Sequence, residues 1–371
     1  MREDGRCGLA VPSRGGARAV RAVVIGGGIM GASVGCHLAR AGLDVRVLEA
    51  AGPAEGATAV TFARLSAFDK EPRDYFRLNE EGMAEHAGLA SEAAAPTWYH
   101  PCGSVLLAGD EAELARRADR FRAWGYPLTW GPAPDVGMAA RLPARVLHAP
   151  AEGWVDAVAL TRHLLDRAAR HGAEIRPGVL VTRLARASHW ILATAGGENI
   201  AADIVVNAAG QGAPAIAASA GSSLTLTRSP GLLLTATTPG THLRRIVHTP
   251  EVSVRPDGPG CVVIRSDLVD RALAGGRDAR DLTGDLVSRA AGVLPGLAAA
   301  TGIGFRTGYR VLPQGGYPSI GGIPQLPGYY EAVTHSGITL GPLVGRLLAD
   351  EITTGRVPPQ LKPHRPAAKS R

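Results

Sequence analysis

The chain has 371 residues, 45% hydrophobic and 20% charged, which suits two packed domains and excludes a disordered chain. Its formal charge of +7 sits at the ends: residues 1–20 carry +2 and residues 356–371 carry +5, while the 31 basic and 31 acidic residues between them cancel. A neutral body offers no basic stripe to a phosphate backbone, which excludes nucleic acid as a partner.

In chain order, residues 22–25 (AVVI) are a short apolar run of the kind a buried parallel strand needs. Gly26-Gly27-Gly28-Ile29-Met30-Gly31 follows at once and matches G-x-G-x-x-G. A helix then puts Ala32, Val34, Leu38 and Ala39 on one face and ends at Gly42. A second strand, 45–48, leads to Glu49, 21 residues beyond Gly28. Each part has a physical task. Gly26 permits the tight turn, Gly28 lets backbone approach a pyrophosphate, and Gly31 lets helix and strand pack closely. The helix N-terminus, with Ile29 and Met30 in its first turn, supplies unpaired N–H groups for the phosphate charge. Glu49 accepts from a ribose diol and disfavours a 2′-phosphate. The ordered set predicts a dinucleotide site.

Residues 153–176 read as a helix with Leu160, Leu164, Leu165 and Ala168 facing inward, followed by a strand. Strands are expected at 179–184, 190–192 and 204–206, the last running into Asn207-Ala208-Ala209-Gly210. A second strand-to-small-residue turn so far downstream suits a long cofactor held at both ends. Near the C-terminus, Gly308-Tyr309-Arg310-Val311-Leu312-Pro313 precedes a strand at 329–333, and Thr334-His335-Ser336-Gly337-Ile338-Thr339-Leu340 opens a helix through Ile352.

Cys7, Cys36, Cys102 and Cys261 show no CxxC and no metal-ligand spacing with His, so neither a metal site nor a disulfide framework is expected. That fits a reducing, cytoplasmic setting. The longest charge-free run, 204–227, is broken by Asn207, Gln211, Pro214 and several Gly and Ser, so no membrane span is expected. The tails, 1–19 and 358–371, are expected to be disordered.

The order of GGGIMG with Glu49, EGWVD (152–156), VVNAAG (205–210), GYRVLP (308–313) and THSGITL (334–340) resembles the glycine oxidase, sarcosine oxidase and D-amino-acid oxidase family over about residues 21–355. The resemblance implies an α/β, Rossmann-like FAD-binding domain assembled from 20–95, 150–215 and 305–357. Into it is inserted an α+β, antiparallel-sheet substrate domain formed by 96–149 and 216–304, with strands at 232–237 and 261–266. It further implies that Gly26, Gly28, Gly31 and Glu49 hold the ADP half of FAD, that Val181 contacts the adenosine through its backbone, and that Ala208 and Gly210 lie along the cofactor. Gly337, Ile338 and Thr339 bring the start of the last helix to the flavin pyrimidine edge, where a helix N-terminus stabilises the negative charge of reduced flavin. Arg64 and Ser66 fall in a segment that approaches flavin in relatives. Residues 301–371 contain no Cys and 57–66 no His, the two attachment modes known in relatives, so non-covalent FAD is expected. Where some relatives carry Arg before the last helix, this chain has His335, which argues against a simple glycine-like substrate.

The expected reaction is oxidation of an amine or amino acid to an imine, with molecular oxygen as acceptor. Arg310 is the first choice for a carboxylate anchor, because a guanidinium offers a bidentate fork. His335 can tune the amine's protonation or touch the isoalloxazine. Tyr309 can form a wall or donate to the substrate. Two alternatives stay open: the same half-reaction as a dehydrogenase with a protein or quinone acceptor, and a catalytically silent flavin-binding subunit of a complex.

Overall fold

The structure, a computed structural model, describes residues 20–238 and 242–366. In chain order the elements are β1 (Arg21–Ile25), α1 (Ile29–Arg40), β2 (Asp44–Glu49), β3 (Arg64–Leu65), α2 (Arg73–Ser91), β4 (Tyr99–His100), β5 (Ser104–Leu106), α3 (Glu111–Ala123), β6 (Thr129–Pro132), β7 (Arg145–Ala149) and β8 (Gly153–Val155). There follow α4 (Ala157–Arg170), β9 (Glu174–Pro177), β10 (Val181–Arg186), β11 (Trp190–Thr194), β12 (Asn199–Ala202), β13 (Ile204–Asn207), α5 (Ala213–Ala220), β14 (Pro230–Thr237), β15 (Ile246–His248), β16 (Ser253–Pro256) and β17 (Cys261–Arg265). The last are α6 (Asp267–Ala274), α7 (Ala279–Val293), β18 (Thr301–Tyr309), β19 (Ser319–Gly322), β20 (Tyr329–Val333) and α8 (Gly337–Thr354).

The chain divides into two compact units. The first holds the residues up to Ala59, Ala157–Thr227 and those from Val311 onward; the second holds Val60–Asp156 and Arg228–Arg310. In the first, a six-stranded sheet runs β19-β20-β13-β1-β2-β9, parallel except for β19. Alternation along β1 serves both of its faces. Val23 and Ile25 join Leu48, Val205, Leu184, Trp190 and Tyr329 in a core shared with the three-stranded sheet β10-β11-β12 and α5. On the helical side α1 packs with both α4 and α8.

The second unit is built on an eight-stranded sheet, β18-β14-β17-β16-β15-β5-β7-β6, antiparallel except where β15 meets β5. One face is a dry core in which Leu232, Leu234, Val254, Val262 and Ile264 meet Leu282 and Leu286 of α7. Part of the other face is covered by Phe68, Phe76, Leu114 and Phe121, which bury Leu106 and Leu147.

The domain boundaries fall differently from the expectation, for packing reasons. Residues 60–95 belong to the second unit because α2 buries Phe76 against Phe121 and Trp124, with ring centroids 5.5 and 5.4 Å apart. Residues 150–156 follow them, since β8 pairs with β3 and β4. Residues 305–310 stay with the second unit because β18 pairs with β14 as far as Tyr309 opposite Pro230. Residues 216–227 join the first, where Ile216 and Ala220 enter the core beneath β10. The helix expected from 153 begins only at Ala157, because Trp154 lies opposite both Arg64 and His100 in a small sheet.

The expected tail from 358 is also corrected. Residues 359–364 form a 3-10 turn with Leu361 fully buried, and Arg365 pairs with Glu351 at 2.6 Å while donating to the Gly322 carbonyl. The remaining tail residues, 1–19 and 367–371, lie outside the described residues.

Candidate functional site

The glycine turn after β1 is shaped by backbone crowding. Gly26 has φ +110°, and a Cβ there would stand 2.3 Å from the Ala208 carbonyl oxygen. A Cβ at Gly31 would stand 1.9 Å from the Gly26 carbonyl oxygen, so a side chain at either site displaces backbone. Gly28 differs. It caps α1 with an ordinary φ of −78°, and a Cβ there would meet only Thr58 Oγ1 at 3.1 Å. The space in front of Gly28 is therefore kept open toward the helix N-terminus. No acid stands in the first turn of α1, and no side chain of the cap residue closes it; the Ile29 N–H donates to Thr58 Oγ1 at 3.2 Å. This cradle fits a pyrophosphate.

Glu49 closes the same site at the end of β2. Its Oε2 accepts from the Gly27 N–H at 2.6 Å and its Oε1 from the Ala51 N–H at 3.0 Å. One hydrogen bond on each oxygen fixes the carboxylate and leaves lone pairs for a ribose diol. The Val179 N–H donates to the Glu49 carbonyl at 2.8 Å, which brings the chain entering β10, and hence Val181, beside that carboxylate.

The downstream turn lies against the first. The Ala208 N–H donates to the Ile25 carbonyl at 2.9 Å, and Gly210 turns the chain with φ +56°. Asn207 anchors this corner, its Nδ2 donating to the Ala213 carbonyl and to Tyr329 Oη, each at 2.9 Å. The two helix starts are also adjacent. A Cβ at Gly337 would lie 3.8 Å from Met30 Cγ and 3.9 Å from Ile29 Cγ2, and one at Gly341 would lie 2.8 Å from Ile29 Cγ1. Glycine on α8 thus lets the segment Gly337-Ile338-Thr339 approach Ile29 and Met30. Just before it, the buried Thr334 hydroxyl has no hydrogen-bond partner among the described residues, and His335 is exposed. Thr58 and Thr334 were not singled out from the sequence.

In the second unit Arg64 and Ser66 both converge on Glu152. Arg64 Nε donates to Oε2 at 2.8 Å, Ser66 Oγ to Oε1 at 2.6 Å, and Tyr126 Oη to Oε1 at 3.3 Å. Burial, then the Glu152 charge, pushes the Tyr126 phenol well above its ordinary value, so it remains a donor. Arg310 pairs with the buried carboxylate of Asp270, and its Nη1 donates to Ser229 Oγ at 3.2 Å and to the Pro230 carbonyl at 3.1 Å. Asp270 is fixed in turn by the Leu232 N–H at 2.8 Å. Tyr309 is exposed, and its hydroxyl accepts from Arg228 at 3.0 Å. Among the described residues no three His, Cys, Asp or Glu side chains are grouped to hold a metal, and no helix is long and apolar enough to cross a membrane.

Comparison with known proteins gives the setting. Glycine oxidase of Geobacillus kaustophilus is 28% identical over 88% of this chain and 91% of its own. The crystal structure of that enzyme superposes with a TM-score of 0.83 at 25% identity, covering 94% of this chain and 99% of its own. Iminodiacetate oxidase from Chelativorans sp. BNC1 superposes with a TM-score of 0.80 at 25% identity, covering 93% and 99%. One of the subunits of opine oxidase from Agrobacterium tumefaciens is 26% identical over 91% of this chain and 94% of its own. Residues 21–351, nearly all of the described chain, match the family described as "DAO: FAD dependent oxidoreductase", and the protein belongs to that FAD-dependent family.

Proposed function

We propose that the chain oxidises an amine or amino acid at the carbon next to nitrogen, giving an imine, with molecular oxygen as the final electron acceptor. The observation that carries this reading is the full-length likeness to glycine oxidase and iminodiacetate oxidase, whose names both specify an amino acid or amine acid as substrate. FAD, when bound, accepts a hydride from that carbon, and the proton on nitrogen leaves separately.

The residues of the first unit are assigned to cofactor binding. Gly26, Gly28 and Gly31, with Ile29 and Met30, form the pyrophosphate cradle; Glu49 and Val181 hold the adenosine end, and Ala208 and Gly210 line the path. The α8 start, Gly337-Ile338-Thr339, offers amide N–H groups to negative charge on the reduced ring. Non-covalent binding is kept from the sequence, in which 301–371 contains no Cys and 57–66 no His. A cytoplasmic location is kept as part of this reading, from the scattered cysteines of the sequence. His335, exposed before α8, is assigned to accept the amine proton. Arg64 and Ser66, held by Glu152, are kept as candidates for the cofactor's ring edge. In the second unit Arg310 orients the substrate carboxylate, sharing its fork with Asp270, and Tyr309 forms a wall.

The test is to add D-, N-methyl- and cyclic amino acids to the purified holoprotein without oxygen. Bleaching by one of these classes, then recovery in air with peroxide release, is the expected result. A second reading is favoured by the relative named as one part of an opine oxidase: the chain works within an assembly that takes the electrons elsewhere. Bleaching without recovery in air would support it. A flavin spectrum that no amine bleaches would leave only the silent-subunit reading.

A further inference from the structure

The eight-stranded sheet of the second unit carries a polar row on the face opposite its dry core. Val247, Val254, Ile264 and Leu234 are paired across four adjacent strands and buried against α6 and α7. One residue along each strand points the other way. There His248 of β15 pairs with Ser253 of β16, and Ser253 pairs with Arg265 of β17, so the three side chains stand side by side on one face. His248 Nδ1 and Ser253 Oγ are 2.5 Å apart. Leu106, the partner of His248 on the other side, marks where the hydrophobic cover of this face begins.

The row has an unusual charge setting. Arg265 Nη2 lies 3.6 Å from Asp270 Oδ2, and the same oxygen pairs with Arg310. Two guanidinium groups therefore flank one carboxylate oxygen. The other acid on Arg265, Asp267, is 62% exposed, where solvent weakens its pull. Burial first, then the positive charges of Arg64, Arg265 and Arg117, hold the His248 imidazole well below its ordinary value. Because His248 and Ser253 hydrogen-bond each other, the neutral pair keeps one N–H or O–H to donate to an anion, and the neighbouring guanidinium groups favour rather than oppose that charge.

We propose that the row His248–Ser253–Arg265 receives a second carboxylate, so that the substrate is a secondary amine with an acid group on each side of nitrogen. The inference rests on the amine-oxidation reading, with Arg310 holding the first carboxylate. Glutarate matches the spacing of such a diacid with CH2 in place of NH and cannot be oxidised there, whereas butyrate lacks one carboxylate. Calorimetric titration of the holoprotein is expected to show glutarate binding about tenfold or more tighter than butyrate. That ratio should collapse toward one in Arg265→Gln and survive largely in Arg265→Lys. Leu233→Glu, which adds a carboxylate level with Arg265 without removing a contact of the row, should lower it too. Equal affinities in the native protein, or a ratio unchanged in Arg265→Gln and Leu233→Glu, would overturn the proposal. In parallel, iminodiacetate should bleach the flavin at lower concentration than N-methylglycine. If the glutarate pattern holds but neither amine bleaches it, the amine-oxidation reading falls while the second anion site stands.

Discussion

Arg64 Nη2 and Glu152 Oε2 are 2.6 Å apart, with the carboxylate fully buried and the guanidinium side chain 17% exposed. Glu152 also accepts from Ser66 and Tyr126, so one carboxylate ties the β3 segment, through Arg64 and Ser66, to Tyr126. Such a pair contributes little when replaced whole by apolar groups, but removing one partner leaves an uncompensated charge. Glu152→Ala should therefore lower unfolding stability by about 3–5 kcal/mol in urea titration. Glu152→Gln, which keeps hydrogen bonds to Ser66 and Arg64, should cost distinctly less. A loss below about 1 kcal/mol for the Ala variant would place this pair with surface ion pairs instead.

The three motif glycines should separate by what each one meets. Gly31→Ala and Gly26→Ala force a methyl group against backbone oxygen, and Gly26 also has a positive φ. Each should lower the melting temperature of the cofactor-free protein, by the equivalent of about 1–3 kcal/mol or more. Gly28→Ala has an ordinary φ and meets only Thr58 Oγ1. It should fold with near-native stability yet retain little flavin, read from the visible absorbance of the purified protein. Full flavin retention by Gly28→Ala would remove Gly28 from the pyrophosphate cradle.

These contrasts show which features local sequence carries. The strand, glycine turn, helix and Glu49 occupy one continuous stretch, so pattern and spacing were enough to place them, and the six-stranded sheet orders β1 and β2 side by side. Thr58 reaches the Ile29 amide from 29 residues away, and nothing in its neighbourhood marks it as a cap. The Arg310–Asp270 pair spans 40 residues, and the row through His248, Ser253 and Arg265 depends on register between strands that no single segment specifies. The stretch after Gly355 reads as a Pro-rich tail by composition. Its order comes from Glu351 and Gly322, which give Arg365 partners that composition cannot foresee. Residues 60–95 look continuous with the cofactor motif in sequence and are claimed by aromatic packing on Phe121 instead.

The mode of cofactor attachment has a direct check. Acid precipitation of the holoprotein should leave all of the flavin in the supernatant, since 301–371 contains no Cys and 57–66 no His. Flavin absorbance in the washed pellet would show a covalent link and would redirect attention to the described cysteines, of which Cys36 is buried within the glycine-motif helix itself.

Lys70 offers a pH-dependent signature in the second unit. It follows Asp69, which holds φ +61°, and its side chain is half-buried. Burial, reinforced by repulsion from Arg64 and opposed by Asp69 and Glu152, lowers the Lys70 amine from 10.5 to about 8. The unfolded chain then binds more protons than the folded one between about pH 8 and 10.5, so this residue makes stability rise with pH across that window. Below about pH 8 the amine is charged in both states and its destabilising effect is complete. Lys70→Met should therefore be more stable than the native protein in urea titration at pH 7, and the advantage should shrink at pH 10. An advantage that stays constant or grows with pH would mean that Lys70 keeps an ordinary amine in the folded state, and that Arg64 and the surrounding burial do not act on it.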